Sequence, residues 1–219
     1  PVNNQTYVST ACQADIAMIE NGPNVTAFRI RTTMRVPEDF DDKDLWQRSG
    51  RFTEMPIDTI IRLRPGVDYL EVETTVDNTA RDHRLRALFP SGAKTDEYLA
   101  DAPFDVVRRP IPMPEDNHLR MELAVEPGPQ QTWTAVADGK RGLAVVSTGL
   151  MESAVCDLED RPLALTLLRA TYRTVLTDGQ PEGEIPGKHS FRFLVAPVTG
   201  EPNRTRLFHL GQFLGAGLE

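Results

Sequence analysis

Val67-Asp68-Tyr69-Leu70-Glu71-Val72-Glu73-Thr74-Thr75-Val76 alternates residue by residue, with Leu70, Val72, Thr74 and Val76 on one face and Tyr69, Glu71, Glu73 and Thr75 on the other. A period of two marks a half-buried strand, because successive side chains of an extended chain point to opposite sides. The pattern resumes after a polar interval, where His83, Leu85, Ala87 and Phe89 oppose Arg84 and Arg86. Between the two runs lies Asp77-Asn78-Thr79-Ala80-Arg81-Asp82, so a short connection and the strand that follows it crowd together Arg81, Arg84, Arg86, His83, Asp77 and Asp82. Secondary structure alone rarely asks for so much charge at a strand end, and a turn held by two strands can keep such a cluster still.

Outward from this stretch the same period recurs. Residues 26–36 place Phe28, Ile30, Thr32, Met34 and Val36 on one side and Arg29, Arg31, Thr33 and Arg35 on the other, until Pro37 and an acidic run end the strand. Residues 57–63 and 70–76 flank Pro65-Gly66, a dipeptide suited to a tight turn, and read as a hairpin. Further runs at 85–89, 132–136, 143–147, 163–170 and 191–195 bring the total to at least eight strand candidates, punctuated by 17 prolines and 15 glycines. No window of about 12 residues sustains a 3.6-residue apolar period, so helix is expected to be scarce. Six prolines between Asp101 and Pro129 predict a long extended crossing there, since proline cannot donate to a central ladder. Without repeats or a low-complexity linker, the expectation is one all-β domain over 1–219, a large β-sandwich.

Composition narrows the function. A formal net charge of −8 argues against nucleic acid, which needs a basic footprint. No run reaches the roughly 18 to 20 apolar residues of a membrane span. The start Pro1-Val2-Asn3-Asn4 lacks a basic then apolar leader, and the reading is cytoplasmic. Cys12 and Cys156 have no Cys-x-x-Cys spacing and read as two free thiols. Leu218-Glu219, after Gly215-Ala216-Gly217, looks like a cloning scar.

No familiar catalytic signature occurs: neither His-Glu-x-x-His, Gly-x-Ser-x-Gly, a phosphate loop nor a dinucleotide fingerprint. Choosing two of 32 acidic residues as a glycosidase pair would be arbitrary, because their separation is not in the sequence. The cluster Asp82-His83-Arg84-Leu85-Arg86 has two readings. Arginine forks and an imidazole can grip sugar hydroxyls or a carboxylate; equally, these groups can pair with the acidic loops or with a neighbouring domain. His83 shares the apolar side of its run, which favours a hydrogen-bonded core histidine. Arg169 ends the series Leu163, Leu165, Leu167 where alternation calls for another apolar side chain, and a charge there must emerge or be paired. His118, His189 and His209 show no ligand spacing. Trp133 reads as core and Trp46 as a possible exposed stacking platform.

Four ordered segments carry a resemblance: Asn78-Thr79-Ala80-Arg81-Asp82-His83-Arg84-Leu85-Arg86-Ala87-Leu88-Phe89-Pro90-Ser91-Gly92, then Ala100-Asp101-Ala102-Pro103-Phe104-Asp105-Val106-Val107-Arg108-Arg109-Pro110, Gly142-Leu143-Ala144-Val145-Val146-Ser147-Thr148-Gly149-Leu150-Met151-Glu152, and Leu163-Ala164-Leu165-Thr166-Leu167-Leu168-Arg169-Ala170. In this order they resemble the C-terminal β-domain of glycoside hydrolase family 38, the class II α-mannosidases and mannosylglycerate hydrolases, over roughly residues 26–198. The resemblance implies a supersandwich related to galactose mutarotase. It also implies that the catalytic half, with its zinc site and nucleophilic aspartate, lies in an N-terminal domain outside this chain, so no catalytic residue and no metal ligand is assigned here. For the whole enzyme it implies retaining hydrolysis of α-mannosides. In the eukaryotic members an arginine late in this domain reaches the sugar, and Leu165-Thr166-Leu167-Leu168-Arg169 is the matching strand. The substrate-binding candidates are therefore Arg169, Arg84, Arg86 and His83, with the catalytic domain as partner. The competing expectation is a free-standing carbohydrate-binding or mutarotase-like module, which would need its own converging acid and base.

Overall fold

The computed structural model describes residues 6–41, 47–172 and 181–216. Pro1 to Asn4, Trp46 and Leu218-Glu219, read above from sequence, lie outside them. The strands are β1 (Ala14–Asn21), β2 (Thr26–Pro37), β3 (Phe40–Asp41), β4 (Gln47–Arg48), β5 (Phe52–Leu63), β6 (Leu70–Asn78), β7 (His83–Phe89), β8 (Glu97–Ala102), β9 (Asp105–Pro110), β10 (Gly128–Pro129), β11 (Trp133–Ala137), β12 (Gly142–Ser147), β13 (Glu152–Val155), β14 (Leu163–Ala170) and β15 (Gly187–Pro197), followed by helix α1 (Arg204–Ala216). The larger sheet runs β1-β2-β5-β6-β15-β12-β11-β8-β9, the smaller β10-β13-β14-β7, and β3 pairs with β4. The all-β sandwich class expected from the alternation holds. No helix among the described residues is long and apolar enough to cross a membrane.

The chain forms two compact units, the first of Pro1–Val67, Val72–Leu85 and Leu168–Arg192, the second of Asp68–Glu71, Arg86–Leu167 and Phe193–Glu219. In the first, β2 and β5 pair without a slip from Thr26↔Leu63 to Pro37↔Phe52. Met34, Val36, Met55, Val76 and Ala80 make its core, with Ile57, Leu85, Phe191 and the free thiol of Cys12 packed against it. Strand β6 keeps strict time, Val72, Thr74, Val76 and Asn78 buried and the residues between them half-exposed. Strand β2 departs from expectation: Met34 and Val36 are buried, but Phe28 on the same face stays 39% exposed. Its opposite face is charged, and Arg29 Nε donates to both Asp58 oxygens at 2.9 Å. That contact holds the Asp58 carboxyl below the usual carboxylate range.

The second unit packs Leu99, Trp133, Ala135, Ala144, Val146, Leu194, Val198 and Leu207 into one cluster. Trp133 is core, as its alternation predicted. Beside this cluster Gln130 Nε2 donates to Ser147 Oγ at 2.8 Å and to the Leu150 carbonyl at 2.7 Å, while its own oxygen accepts from Thr134 Oγ1 at 2.7 Å. Cys156 is buried and unbridged. Helix α1 is an element the periodicity did not announce. Asn203 Oδ1 caps it by accepting from the Arg206 amide at 3.0 Å, Leu207 is its buried anchor, and a Cβ on Gly211 would fall 2.7 Å from Thr132. Exposed Phe208 and Phe213 blur its apolar stripe.

The proline-rich interval also differs from expectation. It opens not as a crossing but as the hairpin β8–β9, with Pro103 in the turn and Pro110 at the end of an edge strand, where missing donors cost little. Residues 111–127 alone run without a regular strand. In the turn Ala102-Pro103-Phe104-Asp105, Phe104 has φ +71° and its side chain is fully exposed. A hairpin turn with proline second and positive φ third favours glycine or asparagine at that third place. Holding a phenylalanine there costs on the order of 1 to 3 kcal/mol. Phe104→Asn is therefore expected to raise the melting temperature of the 219-residue chain by roughly 2 to 4 °C. Differential scanning calorimetry checks this, and an unchanged or lower value would refute the strain.

Candidate functional site

The polar turn between β6 and β7 is fastened on every side within the first unit. Asn78 closes the buried face of β6, and Ala80 continues it past the strand end. Thr79 Oγ1 donates to the Glu54 carbonyl at 2.8 Å and the Arg81 amide to the Glu38 carbonyl at 2.9 Å, tying the turn to the strands on either side of β3 and β4. Arg48 Nη1 donates to the Asp82 carbonyl. Asp82 itself takes φ +48°, a left-handed conformation that aspartate tolerates better than most residues.

A second segment locks against this turn. The Asp82 amide donates to Glu184 Oε2 at 3.0 Å, and Asp82 Oδ1 accepts from the Tyr172 amide at 2.8 Å. Asn78 Nδ2 donates to the carbonyls of Glu184 at 3.2 Å and Ile185 at 2.8 Å. Gly183 allows the closing approach: its carbonyl accepts from the Thr171 amide at 2.9 Å, and a Cβ there would stand 2.4 Å from the Thr171 oxygen.

This frame leaves polar atoms short of partners. Glu184 is 5% exposed and Asn78 2%. Glu184 Oε1 and Asn78 Oδ1 are out of water with no hydrogen-bond donor among the described residues. Both are acceptors, and a proton on Glu184 would convert one of them into a donor. Burial pushes the Glu184 carboxyl up, as does the Asp82 charge beside it, against the opposing effects of the Asp82 amide and the Arg81 charge.

The four candidate residues stand on two neighbouring strands, His83, Arg84 and Arg86 on β7 and Arg169 on β14. His83 is half-buried, and neither ring nitrogen meets a hydrogen-bond partner of good geometry among the described residues. This corrects the expectation of a hydrogen-bonded histidine. Burial lowers the His83 pKa and the Arg48 charge adds to the fall, while the Arg81 backbone and the Asp82 charge work the other way. Arg84, next on β7, is exposed. Arg86 is half-buried and pairs with Glu126 Oε2 at 2.8 Å within the second unit. Arg169 is the single exposed residue of β14. Arg84 and Arg169 thus stand on neighbouring strands of the smaller sheet, within the first unit.

Sequence reasoning found the turn and missed Asn78, Glu184, Arg48 and Tyr172. For Asn78 a signal existed, since it continues the period of Val72, Thr74 and Val76 into a buried position. Glu184 lies 102 residues from Asp82, beyond any local pattern. No group of three or more His, Cys, Asp or Glu among the described residues is placed to hold a metal ion.

The frame has a pH signature. The native Glu184 pKa is raised, so its contribution to stability is full below the ordinary glutamate value near 4.3 and is lost as pH rises through the native value. Glu184→Gln keeps an acceptor for Asp82 and removes the titration. Its melting temperature relative to wild type is expected to climb between pH 4 and pH 7, and a constant difference would refute the raised pKa. His83 has the opposite sign: its native pKa is lowered, so stability is full above about 6.5 and is lost as pH falls. His83→Leu is expected to flatten that acid limb and to cost nothing at pH 8, because it withdraws unpartnered nitrogens. Thermal unfolding across the pH range reads both.

Comparison with known proteins places the molecule. The family model "Glycosyl hydrolases family 38 C-terminal domain" matches residues 1–179. A protein of Halalkalibacterium halodurans named "Putative mannosylglycerate hydrolase" is 28% identical, the match covering 89% of this chain and 23% of that protein. Two solved structures from Enterococcus faecalis superpose closely. One, an alpha-mannosidase of strain V583, has a TM-score of 0.81 at 26% identity, covering 92% of this chain and 24% of that one. The other, a protein of glycosyl hydrolase family 38, has a TM-score of 0.77 at 27% identity, covering 95% and 25%. The chain spans about a quarter of the length of these relatives. The segments at 78–92, 100–110, 142–152 and 163–170 resembled the same family, and the chain belongs to it, as a C-terminal domain of the glycosyl hydrolases of family 38.

Proposed function

We propose that this chain is the C-terminal β-domain of a cytoplasmic, retaining α-mannoside hydrolase, that it packs against the N-terminal zinc-dependent catalytic domain of the same polypeptide, and that it lends that domain a sugar-contacting arginine. The family match supports the class of enzyme, and the fraction of each relative that is covered leaves room for a catalytic region several times larger. The observation that carries the proposal is Arg169. Every other residue of β14 is buried, yet Arg169 is exposed, so a rigid strand carries one arginine at the surface. A planar five-donor fork on such a base suits the vicinal hydroxyls of a mannoside. Arg84 on the adjacent strand is a second exposed arginine. Arg86 is engaged by Glu126, and the His83 ring nitrogens are withdrawn from solvent. The chemistry itself, a carboxylate nucleophile, a carboxylate acid/base and a zinc ion that holds sugar hydroxyls, belongs to the catalytic domain in this reading.

In the full-length enzyme Arg169→Met removes a charge-assisted hydrogen bond worth about 1.5 to 3 kcal/mol, so kcat/KM is expected to fall roughly 10- to 150-fold. Methionine keeps much of the stem, and the melting temperature is expected to hold. Normal kinetics in the folded variant would refute the sugar contact and leave the domain as scaffold. The 219-residue chain alone is expected to release no aryl alcohol from an activated aryl α-mannoside, with or without zinc. Turnover that disappears when one of its own carboxylates is replaced would instead establish a free-standing catalytic module.

A further inference from the structure

Strand β1 is the outermost strand of the larger sheet, and all eight of its residues are exposed. Its register sets Ile16 opposite Ile30, which faces Thr59, and Met18 opposite Phe28, which faces Ile61. Residues directly opposite across antiparallel strands share a face. Ile16, Met18, Phe28, Ile30 and Ile61 therefore form one contiguous apolar field, with Ile16 63%, Met18 53% and Phe28 39% exposed. The other face of the same strands is already satisfied, Arg29 and Arg31 lying 2.9 Å and 3.7 Å from Asp58.

The backbone makes the same demand as the side chains. Among the described residues no strand pairs with the outer edge of β1. Natural edges are guarded by proline, lysine or inward-pointing charges. β1, Ala14-Asp15-Ile16-Ala17-Met18-Ile19-Glu20-Asn21, has no proline and no lysine, and its only charges are Asp15 and Glu20. An apolar field that runs onto an unguarded ladder is the surface an added strand requires.

We propose that the outer edge of β1 receives an extended strand from the portion of the family polypeptide that this chain does not include, its alternate apolar side chains covering Ile16, Met18 and Phe28. This rests on the reading of the chain as one domain of a longer hydrolase, and names the surface through which the two parts join. The relatives supply the length, since about three quarters of each lies outside the match. A second copy of this chain fits worse: each carries a net charge of −8, and antiparallel self-pairing centred between Ala17 and Met18 sets Asp15 against Glu20.

Amide hydrogen exchange resolved to the peptide 14–21 tests the pairing, in the 219-residue chain and in the full-length polypeptide. The β1 amides are expected to exchange about 100-fold more slowly in the full-length protein, and Ile16→Lys with Met18→Lys to abolish that protection while leaving the melting temperature of the 219-residue chain within about 2 °C. Equal exchange in both proteins would overturn the proposal. If exposed apolar residues elsewhere, such as Phe104 or Leu123, are then protected in the full-length protein, domain packing survives and only the surface is wrong. If nothing is protected, both readings fall. Protection that already appears in the 219-residue chain and grows with its concentration would put a second copy on the edge and likewise overturn the proposal.

Discussion

The left-handed backbone of Asp82 is the constraint around which the first unit is arranged. An aspartate at φ +48° is stable only where neighbouring contacts over-determine it. Here its amide, its carboxylate and its carbonyl are all engaged, by Glu184, Tyr172 and Arg48. Because each partner comes from a different part of the sequence, the turn ties several segments together at once. Its result is directional: β6 enters with Val72, Thr74 and Val76 in the core, and β7 leaves with Leu85 turned to the same core and Arg84 turned to solvent.

What the sequence revealed and what it hid follow from the same physics. Strands with one wet face, such as β6, write their burial into a period of two and are legible residue by residue. Strand β14 is legible as a strand but not as to faces, because it is buried on both sides. Its single exception, Arg169, is thus more conspicuous in sequence than any alternation would make it. Prolines concealed the hairpin β8–β9 because they sit where a ladder needs no donor, at the turn and at the outer edge. Helix α1 was concealed by two exposed phenylalanines that spoil its stripe, though Asn203 announces its start. The candidate site divided likewise: local charge flagged the turn, while Glu184 could be found only by tertiary structure.

Arginine content alone would have been a poor guide to function. Arg161 is held by the Thr95 carbonyl, Asp157 and Asp96, Arg62 by Glu73, and Arg86 by Glu126. The Asp96 and Asp157 carboxylates are largely exposed and those of Glu73 and Glu126 about a third exposed, so each pair contributes modestly to stability; what they fix is the position of a connection. An arginine becomes informative when the strand beneath it is rigid and its neighbours are buried, because then its direction is determined by the fold. Arg169 meets that condition.

The apolar field of β1, β2 and β5 meets it too, with a different consequence. Exposed apolar side chains on a loop can fold back on themselves, but Phe28 is held by the β2–β5 ladder, unbroken from Thr26↔Leu63 to Pro37↔Phe52, and Ile16 and Met18 by the β1–β2 ladder, in register from Ala14↔Thr32 to Met18↔Phe28 with a shift beyond Met18. Phe28 and Ile30 share a face of β2 with the buried Met34 and Val36, so a one-residue slip that turned the field away would also turn Met34 and Val36 out of the core. The register that buries the core therefore also fixes the position of the field. A strand added at the open edge of β1 would extend the same face and carry apolar side chains beside Ile16 and Met18.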